Sequence, residues 1–143
     1  MNIPTKKLQS GFELPVYGLG IWQMGGRLEA DSTNDDEEIK AIRAALDAGI
    51  THIDTAESYG DGHAEELLKQ ALVGRDRSKL IIATKVSAHN QSYEGVHKSF
   101  QASLSRMGLD YVDLYLLHRF PEPGINIADT MRAMDELVEQ GLV

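Results

Sequence analysis

Four glycines, Gly49, Gly74, Gly108 and Gly141, each close an amphipathic run, and an apolar run follows each of the first three. Glycine reaches left-handed backbone that other residues avoid, so it marks helix ends. Punctuation at roughly thirty residues per unit is near the size of one βαβ unit, so four units account for almost the whole chain. Ile39, Ile42 and Leu46 mark one face of a first helix, which opens after the capping candidates Ser32, Thr33 and Asn34. Its early acids, Asp35, Asp36, Glu37 and Glu38, suit a helix amino terminus and are expected to be solvated. A strand from His52 to Ala56 follows, then a second helix from about His63 through Leu67, Leu68, Ala71 and Leu72, and a strand from Leu80 to Val86. Val96, Phe100, Leu104 and Met107 mark a third helix. The segment Tyr111 to His118 is apolar enough for a strand buried on both faces. A fourth helix is expected to turn Met131, Met134, Leu137 and Val138 inward.

Ahead of these units, Val16 to Trp22 reads as the first strand, and Leu8 to Leu14 alternates around Ser10-Gly11 as a small hairpin. Strands alternating with helices and joined by right-handed crossovers make a parallel sheet. The expected fold class is therefore α/β, of the (β/α)8 TIM-barrel type, with the hairpin closing the barrel floor. A complete barrel takes about 250 residues, so the 143 residues here have room for the first four βα units plus the hairpin, as a single domain over 1–143. Half a barrel leaves open strand edges and an uncovered inner face. The expected cover is the missing carboxyl-terminal half-barrel or a second copy of the chain.

Charge narrows the partners. With 14 Lys plus Arg against 22 Asp plus Glu the net charge is -8, so the chain has no basic footprint for nucleic acid. It contains no cysteine, which excludes disulfide scaffolds and thiolate chemistry and fits a cytoplasmic location. No apolar run is long enough for a membrane span, and the polar start, Met1 to Ser10, does not read as a signal peptide.

In a barrel of this type the functional side chains stand at the carboxyl ends of the strands and in the following loops. The polar residues at those places are Asp54, Tyr59, Lys85 and His118. Each alone has a plain alternative: a strand-end Asp caps the next helix, an exposed Tyr is common, and a lone Lys or His is solvated or satisfied. Together they form proton-handling equipment. A free phenol, pKa about 10, is a reluctant acid at neutral pH, and a neighbouring ammonium stabilises its phenolate. Tyr59 beside Lys85 is then an acid, with Asp54 pairing Lys85 and neutral His118 bonding a substrate oxygen. Such a group protonates a carbonyl oxygen while a hydride reaches its carbon.

The runs YGLGIW (17–22), THIDTAESYGDGHAEELLKQAL (51–72), IIATKV (81–86) and SLSRMGLDYVDLYLLHR (103–119) resemble the aldo-keto reductase superfamily over nearly the whole chain. The family tetrad of Asp, Tyr, Lys and His maps without substitution onto Asp54, Tyr59, Lys85 and His118. The resemblance implies an oxidoreductase that reduces aldehydes or ketones with NADPH. Tyr59 is then the general acid, Lys85 and Asp54 its tuning pair, and His118 the group that orients the carbonyl. It also implies that Gly20, Ile21 and Asp54 lie against the cofactor, and that Trp22, Tyr59 and His118 meet a small carbonyl substrate. For Trp22, ordinary core packing is the competing expectation. The family's main cofactor loops follow the later strands, so the chain by itself is expected not to reduce carbonyls.

Two other readings remain. One is a non-catalytic binding or regulatory member of the same family. The other is a metal-dependent hydrolase using His52, Asp54 and His118, since His52 and Asp54 face one way on a strand. His63, His89 and His97 have no ligand spacing. Gly18-Leu19-Gly20 and Gly60-Asp61-Gly62 each lack the third glycine of a dinucleotide fingerprint and are read as turns.

Overall fold

The computed structural model describes residues 3–143; Met1 and Asn2 of the polar start lie outside the described residues. An antiparallel hairpin comes first, with β1 (Thr5–Lys7) paired to β2 (Glu13–Pro15) in the register Thr5↔Pro15. Gly11, at φ 89°, donates its N–H to the Leu8 carbonyl, so the turn falls where the Ser10-Gly11 pair places it. The four strands that follow are β3 (Leu19–Gly20), β4 (His52–Asp54), β5 (Ile81–Val86) and β6 (Leu114–Leu117). They form one parallel sheet in sequence order. Helices α1 (Asp35–Asp47), α2 (His63–Ala71), α3 (Tyr93–Met107) and α4 (Ile127–Glu139) follow the four strands in turn. This is the βα order of a partial (β/α) barrel. All four punctuating glycines have positive φ; Gly108, at 63°, caps α3 and donates its N–H to Ser105.

Register decides what each face carries. Gly20 pairs with Asp54, Asp54 with Ala83, Ala83 with Leu114, and Lys85 with Leu116, so these residues share one face of the sheet. Alternation sends Ile53, Ile82, Val86 and Tyr115 to the other face, where they are buried against the helices. Ile42 and Leu46 of α1, Leu67 and Leu68 of α2, and Phe100, Leu104 and Met107 of α3 complete this core. Phe100 meets Tyr115 edge to face, ring centroids 4.9 Å apart.

Three expectations are corrected here. The fourth strand of the sheet, β6, is not buried on both faces: Tyr115 is buried on the helix side, while Leu116 is 41% exposed on the inner side, where no packed layer covers it among the described residues. On α4 the buried line is Thr130, Ala133 and Leu137, with Met134 partly covered, and Met131 and Val138 are exposed. Thr130 sets that rotation by donating its hydroxyl to the Gln91 carbonyl at 2.6 Å. Met131 and Val138 then lie about 100° further round the helix.

The acids at the start of α1 are not all solvated. Asn34 is the N-cap, though its side chain makes no capping bond. Glu38 accepts from the Gly25 N–H at 2.7 Å, and Asp35 accepts from His63 Nε2 at 2.9 Å. His63 Nδ1 also meets Glu66 at 2.8 Å, so one imidazole joins the first turns of α1 and α2. The Glu66 bond first, then Asp35, raise the His63 pKa above the ordinary value although burial opposes them. A group whose pKa rises on folding stabilises the fold fully below its unfolded pKa, about 6.5. That contribution is lost as pH rises through the raised value. Relative to His63→Gln, the native chain should therefore lose stability between mildly acidic and mildly alkaline pH, by under about 1 kcal/mol, the scale of a partly exposed ion pair. Urea midpoints of both proteins across that window check this, and parallel curves would contradict it.

Candidate functional site

All four strands run the same way, so their carboxyl ends and the loops after them share one end of the sheet. Asp54 is the last residue of β4, Lys85 is near the end of β5, and His118 follows β6 directly. Tyr59 opens a 3-10 turn, Tyr59–Gly62, in the loop between β4 and α2. In that turn Gly60 has φ 56°, and a Cβ on it would stand 2.2 Å from the Gly25 carbonyl oxygen. Only glycine lets the Tyr59 turn and the loop after β3 pack so closely. Gly60 N–H also donates to the Arg27 carbonyl at 3.0 Å.

Lys85 is the hub. Its Nζ donates to Asp54 Oδ2 at 2.8 Å, to the Thr55 carbonyl at 2.7 Å and to the Tyr59 hydroxyl at 3.1 Å. An ammonium has three protons, and each has an acceptor here. The Lys85 side chain is only 14% exposed, so it is held in one place rather than sweeping solvent. Tyr59 is buried between two rings, with Trp22 at 4.8 Å and His118 at 5.5 Å between centroids.

His118 Nδ1 shares a hydrogen with Ser58 Oγ at 3.2 Å, which leaves Nε2 without a partner among the described residues. Burial, then the charges of Lys85 and Arg119, hold the imidazole below its usual pKa, against the pull of Asp54 and Glu57. It is accordingly neutral at pH 7. Glu57 ties the loops together: its Oε1 accepts from Ser87 N–H at 2.6 Å and from Asn90 Nδ2 at 3.1 Å. Burial pushes that carboxyl up, but the bonds from Ser87, Asn90 and Ser99 outweigh it and hold the pKa below the ordinary carboxylate value.

Beside these groups lies an open cavity of about 560 Å³ walled by Trp22, Leu28, Ser58, Tyr59, His118 and Arg119, among others. Asp54 and Lys85 are absent from its wall and stand behind Tyr59. Trp22 is 43% exposed and packs at a tilt of 59° against the Tyr59 ring, so it forms a wall rather than core. Ile21 corrects an expectation: it is 0% exposed, its side chain is in the core, and it has no surface to offer a cofactor. The turn in which Met24 N–H bonds the Ile21 carbonyl rotates Ile21 inward and Trp22 outward. Gly20 does lie beside Asp54, and a Cβ there would enter open space.

The set His52, Asp54 and His118 is not gathered around one point as the metal-dependent reading needs. Lys85 supplies the cation beside Asp54, His118 is turned to Ser58, and His52 packs against Gly18. Among the described residues no group of three or more His, Asp or Glu side chains could hold a metal ion. Sequence reasoning missed Glu57, Ser58, the Thr55 carbonyl and Arg119. Glu57 and Ser58 carried the available signal, since they are polar residues in the loop just ahead of Tyr59.

A half-barrel whose strand ends and loops gather an Asp, a Lys, a Tyr and a His beside one cavity is an α/β protein with a candidate site at the carboxyl end of its parallel sheet. The chain belongs to the aldo/keto reductase family, whose sequence pattern matches residues 17–143. An aldo-keto reductase of Mycobacterium sp. (strain JLS) is 38% identical over 146 residues, covering 100% of this chain and 48% of the relative. The crystal structure of the thermostable aldo-keto reductase Tm1743 with the inhibitor epalrestat superposes with a TM-score of 0.94 at 41% identity, over 98% of this chain and 51% of that one. The aldo-keto reductase of Klebsiella pneumoniae in complex with NADPH gives 0.85 at 36% identity, over 99% of this chain and 48% of the other. The chain thus spans about half the length of these relatives. Among the described residues, no helix is long and apolar enough to cross a membrane.

Proposed function

We propose that residues 1–143 form one unit, the proton-delivering half of an NADPH-dependent oxidoreductase that reduces aldehydes or ketones to alcohols. The observation that carries this reading is the single ammonium, Lys85 Nζ, bonded at once to Asp54 and to the Tyr59 hydroxyl. NADPH, when bound, supplies a hydride to the carbonyl carbon, and the Klebsiella relative was crystallised with it. The residues present fit the reactive end of such a cofactor, because the inner face at Gly20 beside Asp54 is open where any other residue would place a Cβ. Its remaining length is expected to rest on a second half of the barrel, which is also the expected cover for the exposed inner residue Leu116.

Each side chain then has a defined task. The Tyr59 hydroxyl gives its proton to the carbonyl oxygen, so that hydride on carbon and proton on oxygen complete the alcohol. Lys85 holds its positive charge against the phenolate left behind, and Asp54 with the Thr55 carbonyl keeps that charge in place. Neutral His118, its Nδ1 engaged by Ser58, offers Nε2–H to the carbonyl oxygen as a hydrogen-bond donor and so orients the carbonyl. Trp22 supplies the apolar wall that excludes water beside Tyr59.

The test is a chimaera of residues 1–143 continued by the second half of Tm1743, assayed for aldehyde-dependent oxidation of NADPH. Turnover is expected from the chimaera and not from residues 1–143 alone. A folded chimaera that binds NADPH yet reduces none of a panel of aldehydes and ketones would point to the non-catalytic reading.

A further inference from the structure

We propose that Arg119 makes this cavity selective for carbonyl compounds that carry their own carboxylate or phosphate. The proposal deepens the reductase reading and rests on the cavity being the carbonyl site. Arg119 is the one permanently charged side chain in the cavity wall. It makes no hydrogen bond or ion pair among the described residues, although the chain holds 22 acidic side chains against 14 basic ones. Arg75, Arg77, Arg106 and Arg132 each pair with a carboxylate and Arg43 bonds the Gln70 carbonyl; the Arg27 side chain is also without a partner among the described residues, but it does not line this cavity.

The guanidinium is free, but its root is not. The Arg119 carbonyl accepts from Gln91 Nε2 at 3.0 Å, and Gln91 is fully buried, with the same amide donating to the Val86 carbonyl. His118 N–H bonds the Val86 carbonyl at 3.0 Å. The backbone at Arg119 is therefore pinned beside the imidazole, with the side chain over the cavity. Charge at the site is placed rather than in excess: Lys85 is offset by Asp54, His118 is neutral, and the Glu57 carboxylate is bonded to Ser87 and Asn90 behind the cavity wall, so Arg119 is the charge that the wall itself presents. A guanidinium presents paired donors that match a carboxylate or phosphate and costs less to desolvate than an ammonium. Because Tyr59 and His118 share this wall, the anion it meets is on the substrate whose oxygen they address rather than on the far end of a nucleotide.

The test uses the 143-residue chain itself and needs no turnover. It holds one tryptophan, so the Trp22 indole N–H gives a single NMR signal in the cavity wall. The probes are 4-oxopentanoate, its uncharged methyl ester, and adenosine 2′,5′-bisphosphate as a phosphate source without a carbonyl. Expected is tighter binding of the oxo acid than of the ester by about three- to tenfold, the range for a partly solvated ion pair. That preference should vanish in Arg119→Gln, with the ester's affinity unchanged. The exposed Arg119 side chain supports no described contact, so the variant should keep the free protein's spectrum. Equal affinity for acid and ester, a preference that survives Arg119→Gln, no binding of either, or an Arg119-dependent response to the bisphosphate alone would each overturn the proposal. A preference for the oxo acid with no turnover by the chimaera would fail the reductase reading and leave the anion subsite standing. Turnover without the preference would do the reverse.

Discussion

Replacing Tyr59 with phenylalanine should lower the rate of carbonyl reduction by the chimaera about 10²- to 10⁴-fold, the usual contribution of a positioned general acid. The substitution removes one oxygen and keeps the ring that packs obliquely on Trp22 and meets His118 edge to face. Lys85 retains Asp54 and the Thr55 carbonyl as acceptors, so its charge stays in place. Affinity for the carbonyl compound should consequently change by only a few-fold, and thermal stability should barely move. Single-turnover rates and substrate titrations of the two proteins separate these effects. A rate within tenfold of the parent would mean that another group delivers the proton.

The largest stability effect is expected at Glu65→Ala. Glu65 is 0% exposed, yet it carries a carboxylate that accepts from Thr84 Oγ1 on β5 at 2.6 Å and from Arg106 Nε on α3 at 2.7 Å. One side chain on α2 thus ties a strand and a neighbouring helix. Removing it leaves a hydroxyl unpaired in the core and a guanidinium with only the Ser103 hydroxyl. Breaking a buried ion pair from one side costs about 3–5 kcal/mol. Arg106 is 25% exposed and can regain some water, so the lower end, about 3 kcal/mol, is expected. For a domain of this size that is a fall in Tm of roughly 10 °C. Glu65→Gln should cost less, because the amide oxygen still accepts from Thr84. Denaturant unfolding checks both, and a Glu65→Ala midpoint close to that of the parent would contradict the account.

Much of this arrangement was legible in the sequence, for physical reasons. Helix ends follow from glycines forced to positive φ, and strand order follows from short right-handed connections. Once the strands are parallel, Asp54, Lys85 and His118 must fall at one end, with Tyr59 in the loop after β4, which is why the candidate site could be assembled from strand ends and the loops that follow them. What stayed hidden depended on tertiary contacts. A strand of two residues, Leu19–Gly20, is too short for alternation to say that Ile21 turns in and Trp22 out. Both the 130/133/137 and the 131/134/138 lines of α4 have apolar members, and the Thr130 bond to the Gln91 carbonyl decides between them. An apolar run such as Leu114–Leu117 reveals its own hydrophobicity but not whether a neighbour covers it. The Asp35–His63 contact joins residues 28 positions apart, so no local pattern announces it.

The central claim is that the Tyr59 hydroxyl, held by Lys85, delivers its proton as the hydride arrives. Its most direct test is the single-turnover rate of the chimaera in H2O and in D2O, with the parent and Tyr59→Phe side by side. A slower step in D2O for the parent, and loss of that difference in Tyr59→Phe, is the predicted result. Equal rates in the two solvents for the parent, or an undiminished difference in Tyr59→Phe, would contradict it.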